Sequence, residues 1–253
     1  MFPLTHLYFA EKVWKLVPEL PYNRPLLTLG STFPDVVVAG FLDHAQTHQG
    51  AGRMVDFFKA HAPGLLPFAL GVLTHGSEPR GLDYYGDEKY QDFERGYCFE
   101  KARPIIADVV KYCRLPEEYG WWKAHNFIEM AIEVELGETH PELQRQLYAA
   151  YHDSEAISRV SAVLGDYFGR PAGEVFNSIT FFTRLIALES ITAAELAEKY
   201  GLQMKTKHNI CIDLAGVEAT IHRARYLVRG DFGQFEQYVV DRLVELIELI
   251  TAR

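Results

Sequence analysis

Apolar residues along most of this chain recur at three- and four-residue steps, which is the period of an amphipathic α-helix. Near the start, Leu7, Ala10 and Val13 follow this period and predict a helix over residues 5–18. The last segment carries the clearest stripe, with apolar and charged positions on opposite faces, and it predicts a helix over 233–252. The same pattern, less regular, predicts helices at 51–61, 65–75, 93–113, 117–136, 140–166, 184–200 and 208–228.

Strand signals are few. Residues 36–38 and 179–182 are β-branched or aromatic, but neither segment has a neighbour that would complete a hairpin. We therefore predict an all-α protein. Glycine and proline cluster without a repeat period or a low-complexity linker, so residues 1–253 are predicted to form a single multi-helix domain.

The candidate metal-ligating residues lie mostly in the first half of the chain. The two halves of the predicted domain meet near residues 137–141. The first half, 1–136, is predicted to hold the metal site, and the second half, 137–253, to be a plainer helical region. Four histidines of the second half show no ligand spacing, and we expect them to be dispensable for metal binding: His140, His152, His208 and His222.

Composition narrows the class of protein. The 253 residues are 48% apolar and 23% charged, which excludes a disordered chain and a low-complexity fibre. There are 25 Lys and Arg against 34 Asp and Glu, so the formal net charge of −9 repels polyanions and makes nucleic acid an unfavoured partner. Three cysteines without a CxxC pair are typical of reduced thiols and favour a cytoplasmic location.

No targeting or membrane segment is apparent in the sequence. The N-terminus lacks the basic start and the cleavage site of a signal peptide, so secretion is not expected. Apolar stretches such as 65–73 are shorter than the roughly 20 residues that cross a bilayer, and we predict no transmembrane segment.

His125 and Glu129 are one helical turn apart, so their side chains project together. Apolar residues such as Ile128 and Ile132 share that side, which places the carboxylate inside the protein. Burying an unpaired carboxylate costs several kcal/mol. Either a metal ion bound by both side chains or a set of hydrogen bonds to Glu129 would offset that cost, and the helix alone leaves both hypotheses open.

Three other residues have a metal-ligating and a structural interpretation. His6 lies on the inward face of the first predicted helix, as a ligand or as a hydrogen-bonded core histidine. His75 ends an apolar segment in which Gly71, one turn earlier, leaves space on its face. Asp35 follows a turn-like Gly-Ser-x-x-Pro segment, as a ligand or as a helix N-cap.

The order of these motifs is similar to that of the bacterial zinc-dependent phospholipase C family. An early His6 is followed by Gly30-Ser31-x-x-Pro34-Asp35, by a histidine about 13 residues on, by Gly71-x-Leu73-x-His75 and by His125-x₃-Glu129. The resemblance covers residues 4–135. It implies the all-helical fold that this family shares with single-strand-specific zinc nucleases.

The resemblance also implies roles for individual residues. Asp35 would orient or deprotonate the attacking water, as the catalytic residue, or bind metal. His48 fits the family's spacing better than His44 does, although both could share a helix face. The implied ligands of one or two zinc ions, or of another divalent metal, are His6, Asp35, His48, His75, His125 and Glu129.

One ligand of the family pattern is missing. A bridging aspartate is expected four residues after the helix histidine, and Pro79 stands there. We expect Asp83 to replace it, because Gly81 lets the loop fold back, whereas Glu78 adjoins the rigid proline. Tyr85 stands where a further histidine is expected. The chain also begins at an unprocessed-looking Met-Phe, so a three-metal site is not expected.

These features together predict a zinc-dependent phosphoester hydrolase, in particular one acting on phosphodiesters. Its substrate would be a small phosphoester or a lipid headgroup. Tyr84 and Tyr85 would either line the mouth of the site or pack at the surface. The alternative is a non-catalytic helical metal-binding or scaffold protein that retains the motifs. The sequence does not predict an oligomeric state.

Overall fold

Fourteen α-helices form the described part of the chain, residues 1–40 and 42–252, in a computed structural model, and they confirm the all-α prediction. No β-strand occurs within those residues. The helices are α1 (Pro3–Leu16), α2 (Arg24–Thr32), α3 (His44–His48), α4 (Ala51–His61), α5 (Leu66–Leu73), α6 (Tyr97–Ala102), α7 (Ile106–Cys113), α8 (Gly120–Thr139), α9 (Pro141–His152), α10 (Ser154–Phe168), α11 (Ala172–Phe182), α12 (Ala193–His208), α13 (Leu214–Val228) and α14 (Phe232–Thr251).

Several predicted helices have the expected position. The prediction at 51–61 coincides with α4, and that at 233–252 differs from α14 by one residue at each end. The two β-branched segments are helical, since 36–38 belong to a 3₁₀ helix, Phe33–Ala39, and 179–182 end α11. The described helices pack into a single domain, as the sequence predicts.

Three long segments that were predicted as single helices are not continuous helices in the structure. The segment 140–166 is two helices, because the Asp153 side chain accepts a hydrogen bond from the Ala156 N–H and starts α10. The segment 93–113 divides into α6 and α7 around a 3₁₀ turn that contains Pro104. The prediction at 184–200 fails over its first half, where buried apolar residues such as Ile186 run in turns until Thr192 caps α12.

Helix α2 was missed, because its glycine and proline resemble turn residues. Pro25 occupies its first turn, where the missing N–H costs nothing. Gly30 and Gly71 let α2 and α5 cross closely: a Cβ at Gly30 would lie 2.0 Å from the Phe68 carbonyl oxygen, and one at Gly71 would lie 2.7 Å from that of Leu27. This close crossing brings the backbone of α2 against His75.

Helix α8 runs through the core and packs against α1, α6 and α13. Its middle turns are buried on all sides, and its first turn reaches the surface at Trp121 and Trp122. None of the described helices is long and apolar enough to cross a membrane.

Candidate metal centre

Four imidazoles and four carboxylates meet where α1, α3, α8 and the loop after α5 converge. They form three groups, of which the first two share His75, and in each group one nitrogen or oxygen atom per residue lies within 4.8 Å of the others. The groups lie at or beneath a cavity of about 300 Å³. Their members are His6, His75 and Asp83; Asp35, His48 and His75; and Asp87, His125 and Glu129.

His75 is the common member of the first two groups. Its Nε2 lies 3.2 Å from Asp83 Oδ2 and 3.7 Å from Asp35 Oδ1. The His6 ring stacks on the His75 ring with centroids 3.4 Å apart, and its Nε2 lies 3.4 Å from Asp83 Oδ1. His48 Nε2 approaches Asp83 Oδ2 at 3.4 Å. The Asp83 carboxylate is therefore shared by three histidines.

Hydrogen bonds on the outer ring nitrogens orient these histidines. His75 Nδ1 lies 2.6 Å from the Ser31 carbonyl oxygen, an acceptor, so Nδ1 carries a proton. The Thr47 hydroxyl lies 2.7 Å from His48 Nδ1 and orients that ring through a hydrogen bond. In a neutral His75, Nε2 then presents a lone pair to the Asp83 carboxylate. Only a proton or a cation between them makes that contact favourable.

The third group joins α8 to the short π-helical segment Tyr84–Glu88. Asp87 Oδ1, His125 Nδ1 and Glu129 Oε1 are buried and have no hydrogen-bond partner. Burial and the neighbouring Glu129 carboxylate raise the pKa of Asp87 to about 8. Burial likewise raises the pKa of Glu129 and lowers that of His125. In the absence of a metal ion, these pKa shifts favour the neutral forms of Asp87, His125 and Glu129.

These residues fit a metal ion. Unpaired buried polar atoms are rare and costly in folded proteins, and this cluster contains six of them. Four imidazoles with carboxylates are the donors that zinc prefers among common protein metals. Because one imidazole nitrogen binds one metal, His75 can serve a single ion, and the Asp87 group can serve a second. The unpaired atoms are His6 Nδ1, His6 Nε2, His75 Nε2, Asp87 Oδ1, His125 Nδ1 and Glu129 Oε1.

Asp83 reaches the cluster because its loop folds back onto the end of α5. The N–H groups of Leu82 and Asp83 donate to the carbonyls of Thr74 and His75, both at 2.9 Å. The fully buried Leu82 side chain anchors the turn. A Cβ at Gly81 would lie 2.6 Å from the Gly76 carbonyl oxygen, so only glycine fits there.

Several neighbouring residues that the sequence analysis considered lie outside the ligand groups. Glu78 lines a separate surface groove, outside the cluster. Tyr84 and Tyr85 line the same groove, so the alternative that they form the mouth of the metal cavity was wrong. His44 lines the metal cavity and stacks on His48 with ring centroids 3.9 Å apart, but only His48 belongs to a ligand group.

Two members of the site were missed from the sequence. Asp87 stands four residues after Asp83, and that one-turn spacing of acids is the signal that would have found it. The α-amino group of Met1 donates to Asp83 Oδ1 at 2.9 Å and lies 3.3 Å from Glu129 Oε1. Although burial opposes ionisation of Asp83, this ammonium and His75 hold the pKa of Asp83 well below its usual range.

The second half of the chain also contributes to the cavity, which the expectation of a plain helical half did not include. Helix α12 lines one wall with residues at helical spacing, Tyr200, Gln203, Met204 and Lys207, followed by His208. The other three histidines set apart in the sequence, His140, His152 and His222, take no part in the cavity lining or in the ligand groups.

Comparison of the chain with protein-family models, curated proteins and solved structures finds no match. The resemblance to the zinc-dependent phospholipase C family therefore stays a prediction from short motifs. The donor atoms and the cavity are the basis for the functional proposal.

Proposed function

We propose that this protein is a zinc-dependent hydrolase of small phosphoesters, in particular phosphodiesters. The observation that carries the proposal is the cluster of four histidines and four acids, with six buried atoms lacking hydrogen-bond partners, beside an open cavity. Magnesium and calcium favour oxygen donors alone, whereas this mixed set suits zinc. The order of the motifs supports the same reaction class.

The size and charge of the site favour a small substrate. A cavity of about 300 Å³ is at the lower end of the range for small-molecule sites. The net charge of −9 opposes a long polynucleotide. A single phosphoester or a lipid headgroup meets both constraints.

Zinc, when bound, supplies positive charge to the phosphoryl oxygens and lowers the pKa of water. Asp35 is placed to accept the proton of the attacking water, because its side chain is 21% exposed at the cavity and lies 3.7 Å from His75 Nε2. The water oxygen forms a bond to phosphorus as the ester P–O bond breaks, and the leaving oxygen takes up the proton that Asp35 accepted. The Ser31 carbonyl and the Thr47 hydroxyl hold the His75 and His48 rings in position during this step.

The test measures zinc content and hydrolysis of bis(p-nitrophenyl) phosphate by purified protein. We expect activity that is lost with a chelator and restored by zinc. Asp35→Asn should reduce kcat by about 100-fold or more, the scale of a general base. Asp56→Asn is the matched control, because Asp56 is an exposed acid outside the site.

The outcomes separate three kinds of protein. Less than about 0.3 mole of zinc per chain after reconstitution would rule out the metal site. Zinc at one or two ions per chain with no phosphoesterase activity would support the non-catalytic metal-binding or scaffold alternative. Zinc-dependent hydrolysis that Asp35→Asn leaves unchanged would remove Asp35 from the reaction.

A further inference from the structure

The cavity is lined by four carboxylates, Asp35, Asp83, Asp87 and Glu129, here termed the acidic floor, and by a basic wall. The basic wall consists of Lys123 from α8 with Lys207 and His208 from α12, all three of which line the cavity. Lys123 Nζ lies 3.5 Å from His208 Nε2. Within the described residues, neither Lys123 nor Lys207 forms an ion pair with a carboxylate. The basic wall therefore has no anionic partner of its own.

The net charge of the cavity with zinc bound indicates what kind of ligand it can hold. Two zinc ions would balance the carboxylates of Asp35, Asp83, Asp87 and Glu129. The ammonium groups of Lys123, Lys207 and Met1 then leave the cavity with an excess of three positive charges. A phosphodiester carries one negative charge, so positive charge next to the basic wall remains without a counter-charge.

We infer that the basic wall is a subsite for a second anionic group of the substrate, a carboxylate or a phosphoryl group. This inference rests on the proposed function, which places the scissile phosphoester on the floor. The same cavity is also lined by the apolar side chains of Trp122, Phe182, Ile186 and Met204, which suit an organic spacer between two anionic groups. The substrate class is thus a small phosphodiester with a second acidic group.

The test uses phosphinates, which mimic a phosphodiester with one charge and have no ester bond to hydrolyse. Calorimetry on the zinc-loaded protein compares methyl(4-carboxyphenyl)phosphinate with its neutral analogue, methyl(4-carbamoylphenyl)phosphinate. We expect the acid to bind about 10-fold more tightly, the scale of a charged hydrogen bond. A third ligand with a phosphonate in place of the carboxylate shows which anionic group the subsite prefers.

Lys207→Met and Lys123→Met should each reduce this preference, which is the ratio of the two affinities, to about 3-fold or less. Lys205→Met is the control, because Lys205 lies on the same helix, is exposed and does not line the cavity. The control variant should keep the full preference.

Two results would overturn the inference in different ways. Equal affinity for the acid and its neutral analogue, with zinc bound, shows that the basic wall is not a subsite and leaves the proposed function intact. Absence of zinc binding, or of any phosphinate binding to zinc-loaded protein, removes the proposed function and the subsite with it.

Discussion

Two consecutive turns of α8 carry buried glutamates with opposite surroundings. Glu133 accepts hydrogen bonds at both oxygens, from the N–H groups of Leu4 and Thr5 at 2.7 and 2.8 Å and from the Thr5 hydroxyl at 2.7 Å. Glu129 has an oxygen with no hydrogen-bond partner, 3.3 Å from the Met1 amino group. Equal burial of the same residue type therefore gives one acid that supports the fold and one that is available to a ligand.

The partner of Glu133 explains its role. The N-cap residue of α1, Phe2, has no side-chain acceptor, so the first turn of α1 depends on Glu133 from another helix for its free N–H groups. The same contact fixes the position of His6 in the cluster. Glu129, one turn earlier, points instead to the group with Asp87 and His125.

The largest expected effect comes from removing the structural acid. Glu133→Ala leaves two backbone N–H groups and a hydroxyl without acceptors, and we expect it to lower the free energy of unfolding by about 3–5 kcal/mol. Urea denaturation with and without zinc measures this, and the loss should be the same in both conditions. A loss below about 1 kcal/mol would show that water replaces the carboxylate at the first turn.

Glu129→Gln should weaken zinc binding without destabilising the fold, in contrast to Glu133→Ala. Because the carboxylate is a candidate ligand, zinc affinity should fall by about 10-fold or more in competition with a chromophoric chelator. Without zinc, the unfolding free energy should stay equal or rise by about 1 kcal/mol, since the cost of burying the carboxyl group is removed together with its contact to the Met1 amino group. Normal zinc affinity together with a higher melting temperature would make Glu129 a structural acid like Glu133.

A third buried acid extends the comparison, because Asp83 shares the Met1 amino group with Glu129. Asp83→Asn should lower zinc occupancy, since three histidines face its carboxylate. Glu78→Gln is the matched control from the same loop and should have no effect. Elemental analysis after dialysis against limiting zinc measures both, and equal occupancy in the two variants would remove Asp83 from the ligand set.

The most gradual effect is a dependence of stability on pH. Burial raises the pKa of Glu133 to about 7 even though its hydrogen bonds favour the ionised form. The folded state then binds more protons than the unfolded state between the ordinary glutamate pKa and 7. Stability should fall as the pH rises through this window, by at most about 1.4 kcal/mol per pH unit, and be level above it.

The matched variant for this effect is Glu133→Gln, which cannot titrate. Urea unfolding of both proteins at several pH values, with chelator present, isolates the contribution of Glu133 because the other acids are common to both. Parallel curves would mean that Glu133 stays ionised throughout and that its hydrogen bonds outweigh its burial.

Local pattern determined much of the fold. Helices α4 and α14 follow from apolar periodicity, because each buries one face of a regular helix. The segment after α11 was misjudged, since buried residues such as Leu188 pack equally well from an irregular backbone. The glycines of α2 and α5 suggested turns, but the structure uses them for close helix crossing, which depends on a partner distant in sequence.

For the candidate site, the sequence by itself identified seven residues that the structure brings together, including Asp83 through the freedom of Gly81. Helical spacing and turn formation depend on residues that are close in sequence, so both can be predicted from the sequence alone. The tertiary structure alone decided that one oxygen of Glu129 lacks a hydrogen bond while Glu133 accepts three, and that α8 and α12 together supply the basic wall. Burial and charge pairing depend on contacts between segments more than 70 residues apart, such as Asn126 with Tyr200, and no local pattern encodes them.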